Sequence, residues 1–300
     1  MKVLITGSTG LLAKGMTETA PQGWEIVGIH VRPYQMKDSR ARHLITNVQD
    51  AGAVQQLFAA EHFDAVVHAA GMAAVDHVEK HPEEGRRSNL EGTRNIAQAC
   101  RRHGAYMVYI STNAVFDGAR APYREDDPTR PLHHYGRIKL ECERAASEFA
   151  GPHAIARPIL MYGWNHAVNR PNPVTWVYEK LLRAERVQLV DDVFENPLHN
   201  RQCGRALWAM LEKRPSGVFH LAGADRVNRY ELGLRTAAAF GLDAELVERA
   251  DSSLFPSIAP RPKDTTFITD RMRLELGVRP MTLEEGLSSM KAEMGLGVEE

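Results

Sequence analysis

The sequence predicts an α/β fold, a doubly wound parallel sheet followed by a smaller mixed α/β region. Three observations carry this. Short apolar runs alternate with helical patterns through the first half of the chain, the order that buries a parallel sheet between two layers of helices. A glycine turn joins the first run to the first helix. After about residue 161 the rhythm breaks and shorter elements follow.

Taken in order, Lys2–Thr6 reads as a strand, followed by the glycine turn and a helix from about Ala13. Trp24–Val31 is a second strand and His43–Thr46 a short third. Asp50–His62 places Ala53, Leu57 and Phe58 at helical spacing, with Asp50 suited to cap it. Asp64–His68 is a strand. Asn89–His103 is a helix closing in Arg101, Arg102 and His103 before Gly104, cations and then glycine being a helix C-terminal signal. Tyr106–Ile110 is a strand, Leu132–Phe149 a long helix and Ala154–Leu160 a further strand. Gly163–Pro173 holds two prolines and three asparagines and is a loop long enough to serve as a substrate lid. Beyond it, Val174–Ala184, Arg229–Phe240 and Leu283–Met294 read as helices, and Val187–Val190 and Gly217–Ala222 as strands. This divides the chain into a dinucleotide-binding unit over 1–162 and a substrate-binding region over 163–300, some of whose elements can return to the first sheet.

Composition narrows the partners. Across 300 residues the formal net charge is -1, so no global positive field gathers nucleic acid or an anionic membrane. The apolar start, Met1–Thr6, is only a strand's length before Gly7 and does not read as a signal peptide. The most apolar stretch, Ala65–Val75, is interrupted by His68 and falls short of the roughly 18 residues a membrane helix needs. Cys100, Cys142 and Cys203 form no CxxC, so a reduced cytoplasm is expected.

Thr6-Gly7-Ser8-Thr9-Gly10-Leu11-Leu12-Ala13 follows a strand and opens a helix, the context in which a glycine turn cradles a pyrophosphate against a helix N-terminus. In this context it reads as the phosphate loop of a Rossmann fold rather than a plain tight turn, with Ala13 where a third glycine usually stands. Where the second strand closes, the acid that would bind a ribose 2′-hydroxyl is missing. His30 and Arg32 stand there, and Arg32 suits a 2′-phosphate, so NADPH/NADP+ is expected over NADH. Asn47 and Val48, after the third strand, are assigned to the same cofactor half.

Tyr135-Gly136-Arg137-Ile138-Lys139 puts a phenol and an ammonium one helical turn apart. A free phenol titrates near 10, too high to exchange protons readily at neutral pH, and a nearby cation is expected to lower it. Lys139 can also reach a cofactor ribose. At the end of the preceding strand, Thr112 offers a hydroxyl to polarise a carbonyl and Ser111 is assigned to the cofactor side.

The glycine turn, His68-Ala69-Ala70-Gly71, Asn89, Ser111-Thr112, Tyr135 with Lys139, and Arg157-Pro158 with Tyr162-Gly163 resemble the extended short-chain dehydrogenases in order and spacing. More narrowly, Val75–Glu79, Ser111–Lys139 and Ala259–Asp264 resemble dTDP-4-dehydrorhamnose reductase and its relatives. The likeness covers nearly the whole chain, weakens after residue 165 and is most specific across Ser111–Lys139. The resemblance implies reduction of a 4-keto group on a nucleotide-diphosphate sugar, with Tyr135 protonating the oxygen, Thr112 polarising it, Lys139 on the ribose, and His68, Ala69, Ala70 and Pro158 along the cofactor. The chain departs from that family where STDYVFDG reads STNAVFDG, giving Asn113 and Ala114 before Val115, and where Leu160 replaces a tryptophan. Two aromatics that would flank the sugar are thus absent, so the resemblance does not carry the dehydrorhamnose substrate with it. Asn113, Ala114, Val115, Leu160, Arg201 and Arg261 are assigned to the substrate, Arg261 as a diphosphate clamp.

Weaker signals have blander readings. His77 and His81 are spaced for a metal but lack a third ligand, so no metal is assigned. His133 and His134 can touch substrate or simply form a loop, and Asp191-Asp192 reads as a strand-end turn. Asn196, Pro197 and Arg201 are expected to border the same pocket. The Tyr135 helix offers Leu140, Ala145, Ala146 and Phe149, which suit a homodimer contact as well as packing on the sheet. Two alternatives to the reductase stay open: an epimerase or dehydratase that regenerates its cofactor, and a regulatory subunit that binds NADP without turnover.

Overall fold

The computed structural model describes residues 1–31, 40–255 and 258–295. Its centre is a seven-stranded parallel sheet, in the spatial order Gly217–Leu221, His153–Pro158, Tyr106–Ile110, Ala65–His68, Lys2–Thr6, Glu25–His30 and Arg42–Ile45. The chain starts inside the sheet, builds outward to Arg42–Ile45, then crosses back to place Ala65–His68 on the other side of Lys2–Thr6. At that switch the connections leave in opposite directions, and a crevice opens outside the carboxyl ends of the strands.

Each face of the sheet carries its own apolar cluster. One contains Val3, Ile5, Met16, Val108, Phe116 and Leu207, and the other Leu4, Val66, Phe58, Met107, Ile138 and Cys142. Val3 and Leu4 fall in different clusters because successive strand residues point to opposite faces. The helices Leu11–Glu18 and Asn200–Lys213 lie on the first face at very close approach. A Cβ on Gly15 would sit 2.1 Å from the Asn200 carbonyl oxygen, and one on Gly204 2.4 Å from that of Gly15. Trp208 donates to the Met16 carbonyl at 2.9 Å and meets Trp24 edge-on.

Asp50 caps Ala51–Ala60 by accepting from the Ala53 amide, and Gly104 ends Gly92–His103 in the left-handed conformation at φ 71°. Other boundaries shift for physical reasons. The expected helix start at Asn89 is a π turn over Arg87–Glu91. There the Asn89 amide exchanges two hydrogen bonds with the Met72 backbone. The helix expected from Leu132 begins at His134, because the His133 side chain caps it. Asn172 and Thr175 form a capping box that starts the next helix at Pro173.

Gly217–Leu221 extends the sheet beyond His153–Pro158 and Asn200–Lys213 covers it, so the sheet layer draws on residues from both sides of residue 162. The rest of the second half builds two small cores, around Tyr162, Leu232 and Leu287 and around Val177, Leu181 and Val247. A short parallel pair, Val187–Val190 with Val247–Ala250, closes the far wall of the crevice. No helix among the described residues is long and apolar enough to cross a membrane.

Candidate active site

The crevice is a cleft of about 1350 Å³. Gly7, Thr9, Gly10, Leu11, Ala69, Ala70, Ser111, Thr112, Asn113, Ala114, Tyr135, Pro158, Leu160 and Arg261 all border it. The glycine turn forms the floor at one end. Gly7 has φ 72°, and a Cβ there would lie 3.0 Å from the Ala70 backbone nitrogen. Gly10 is the N-cap of Leu11–Glu18, whose first-turn amides have no side-chain cap. An uncapped helix start beneath a cradle that a side chain would fill fits a diphosphate.

A buried relay holds that floor. Thr6 Oγ1 accepts from the amides of Ala69 and Ala70 at 3.1 and 2.9 Å, so its own proton goes to His68 Nδ1 at 2.8 Å. His68 then donates from Nε2 to Thr93 at 3.2 Å, and Thr93 donates to the Asn89 carbonyl. The ring is neutral: burial lowers it to about 3, with Lys139 adding to the shift. His68 therefore supports Ala69 and Ala70 from behind and does not itself border the cleft.

Thr112 lies two residues past the strand Tyr106–Ile110 and caps the turn Asn113–Val115, accepting from the Ala114 amide at 3.2 Å. Tyr135 is half-buried on the first turn of the next helix. Burial pushes its phenol up to about 12, and a hydrogen bond with the Thr112 side chain works against that rise. The expected lowering by Lys139 is corrected here. Lys139 Nζ is turned to the Ile110 carbonyl at 2.6 Å and lies 4.4 Å from the centre of the Tyr109 ring. Burial brings the ammonium itself down to about 8, while Cys142 and Glu143 act in the other direction. The phenol is thus fully protonated at neutral pH and the ammonium is largely charged.

Beneath these groups Glu143 binds Arg157 through both carboxylate oxygens, at 2.8 and 2.7 Å, and accepts the Ser111 hydroxyl. Ser111 therefore turns its side chain inward. On the opposite wall Asn113 donates to Glu195 at 3.1 Å and to Thr265 at 2.7 Å, and Glu195 pairs with Arg229 at 2.7 Å. Arg229 Nη1 is buried without a partner among the described residues. Trp176 and Phe255 stand partly exposed where they line the cleft, and Asn169 ties the 163–173 loop to the glycine turn by donating to the Thr9 carbonyl at 2.6 Å.

Several assigned residues lie elsewhere. Arg201 is held by Glu18 at 2.9 Å and Glu293 at 3.1 Å, away from the cleft lining. Val115 and Leu12 are buried in the sheet core, and Ser8 is buried with its hydroxyl 3.1 Å from His43. His30 is buried beside His43, Val48 packs in the core, and exposed Asn47 accepts from the Gln49 amide. Arg32 lies outside the described residues. Asn196, expected to border the pocket, instead braces the Phe267 backbone, and His77, weighed only as half of a metal pair, meets Glu84. Glu195, Arg229 and Thr265 were missed. The only signal was adjacency, since Glu195 precedes Asn196.

A family model, the RmlD substrate binding domain, matches residues 1–295. The chain belongs to the RmlD substrate binding domain family. Within and around that family, the chain is 31% identical to methionine adenosyltransferase 2 subunit beta of Bos taurus, over 94% of this chain and 84% of that protein. It is 27% identical to the protein named probable low-salt glycan biosynthesis reductase Agl14 of Haloferax volcanii, over 97% and 98%. Its fold superposes on an NADP complex of dTDP-4-dehydrorhamnose reductase from Bacillus anthracis with a TM-score of 0.86, at 24% identity, covering 97% and 99% of the two chains.

Proposed function

We propose that this RmlD-family chain is an NADPH-dependent reductase of a 4-keto group on a nucleotide-diphosphate sugar. The observation that carries the reading is that Thr112 and Tyr135 border one cleft together, beyond a glycine floor shaped for a diphosphate. Gly7, Thr9, Gly10, Leu11, Ala69, Ala70 and Pro158 would hold the dinucleotide. The reduced nicotinamide, when bound, supplies the hydride. Thr112 polarises the substrate carbonyl, and Tyr135, protonated at neutral pH, gives its Oη proton to the carbonyl oxygen as charge develops there. Lys139 reaches a ribose once it leaves the Ile110 carbonyl. Asn113, Glu195 and Arg229 face the sugar in place of the two missing aromatics, and Arg261 lies at the same wall, where a diphosphate would meet it.

A second reading has its own support. Relatives at about the same identity over most of the chain are named as a subunit of methionine adenosyltransferase, which fits a dinucleotide-binding regulatory protein. One experiment separates the readings: NADPH with a panel of 4-keto nucleotide sugars. Stoichiometric loss of reduced nicotinamide, reduced about 10²–10⁴-fold by Tyr135→Phe, supports the reductase. Product without net NADPH loss indicates an epimerase. Tight NADPH binding without turnover indicates the regulatory subunit.

A further inference from the structure

The helix that carries Tyr135 has an unusual start. A helix leaves its first amides unpaired, and the residues that usually cap them are Ser, Thr, Asp and Asn. Here the cap is an imidazole: His133 Nδ1 accepts from the Gly136 amide at 3.1 Å. The ring is 2% exposed, borders the cleft, and lies 6.1 Å from the Tyr135 ring with their planes 30° apart. An imidazole nitrogen accepts a hydrogen bond only when it carries no proton. Nδ1 is therefore bare and the ring proton is on Nε2.

A second proton would undo this arrangement in two ways. Nδ1–H would face the Gly136 N–H, donor against donor. A cation would also stand at the positive end of the helix dipole. The charged groups around the ring are Arg261 from the loop after Ile258, Arg137 from its own helix and Glu79 from Val75–Lys80. Arg261 is itself paired with Asp76 at 2.9 Å, and Glu79 accepts the His134 amide at 2.8 Å. Burial is the largest influence and Arg261 the next, and together they hold the imidazole below its ordinary range against the pull of Glu79. The first turn is also pressed against the backbone of the Asn113–Val115 turn. A Cβ on Gly136 would lie 2.2 Å from the Ala114 carbonyl oxygen, so a shift of this turn is passed to the Thr112–Ala114 segment.

We infer that His133 is a positioning residue for Tyr135, a titratable cap whose neutral ring fixes the first turn of the catalytic helix and whose protonation releases it. The capping claim stands on the geometry alone. Its effect on rate rests on the proposed reductase reading.

The sign follows from linkage. The native ring titrates below its unfolded value near 6.5, so the cap's contribution is present above about pH 6.5 and is lost as pH falls through and below it. The test compares wild type with His133→Asn, which caps without titrating, and His133→Ala, which does not cap. Between about pH 8 and pH 5, wild type should lose about 2–4 °C of Tm relative to His133→Asn. Nitrogen NMR of histidine-labelled protein should show Nδ1 bare and Nε2 protonated at the upper pH. With a turned-over sugar nucleotide, the acid limb of kcat should shift or vanish in His133→Asn with KM for NADPH unchanged. A Tm gap that ignores pH, or the opposite tautomer, overturns the cap. Absence of turnover leaves those two readouts to decide it and counts against the reductase reading alone. An unchanged acid limb in an active His133→Asn enzyme overturns the positioning role.

Discussion

Replacing Glu143 with Gln should be among the most damaging single-atom changes available to this fold. Its carboxylate and the Arg157 guanidinium are 6% and 5% exposed and meet through two short hydrogen bonds, with Ser111 donating to the same carboxylate. Removing one charge of a buried pair leaves the other desolvated and uncompensated, which costs about 3–5 kcal/mol. At roughly 2–3 °C per kcal/mol for a chain of this size, Glu143→Gln should lower Tm by roughly 6–15 °C. The partial cation–π contact of Arg157 with Phe116, at 5.3 Å, is too weak to replace the lost carboxylate. The double variant Glu143→Leu with Arg157→Met removes both charges and should recover most of that loss. Thermal unfolding by circular dichroism measures all three proteins. If Glu143→Gln melts within about 2 °C of wild type, or the double variant melts below Glu143→Gln, the buried-pair argument is wrong.

Three further outcomes are expected. Gly15→Ala places a methyl 2.1 Å from the Asn200 carbonyl oxygen, so the two helices must part, and denaturant unfolding should show a loss of about 1–3 kcal/mol. Glu195→Gln withdraws the charge that holds Arg229 and Asn113, and steady-state kinetics should show KM for the nucleotide sugar raised about tenfold with KM for NADPH unchanged; an unchanged sugar KM would remove Glu195 from the substrate wall. Lys139 titrates near 8 in the fold, below its ordinary 10.5, so the unfolded chain holds the extra proton between those values and stability is gained as pH rises through them. The Tm advantage of Lys139→Met over wild type should therefore shrink from pH 7 to about pH 10, and a gap that stays flat would contradict the burial of that ammonium.

Most of the sheet was legible because its signals are local. Asp50 and Gly104 announce their helix ends through their own backbone chemistry, and Tyr106–Ile110 is a strand bounded as its apolar run suggests. The glycine turn and the Thr112/Tyr135 placement were readable for the same reason. What escaped depends on distant partners. Nothing near Arg201 in sequence says that Glu18 and Glu293 will claim it, and nothing near Lys139 says that its ammonium will turn to the Ile110 carbonyl. The Asn113–Glu195–Arg229 wall joins three segments that meet only once the second half folds against the first.

The strand Gly217–Leu221 has one more consequence. Because it completes the sheet edge beside His153–Pro158, and Asn200–Lys213 seals the face over the glycine-turn helix, the chain cannot be dissected at the 163–173 loop into two autonomous pieces. A fragment ending there would bare the Trp24, Met16 and Val108 surface and an unpaired strand edge. A protease nick in the same loop of the intact protein should instead leave two fragments that co-migrate under native conditions.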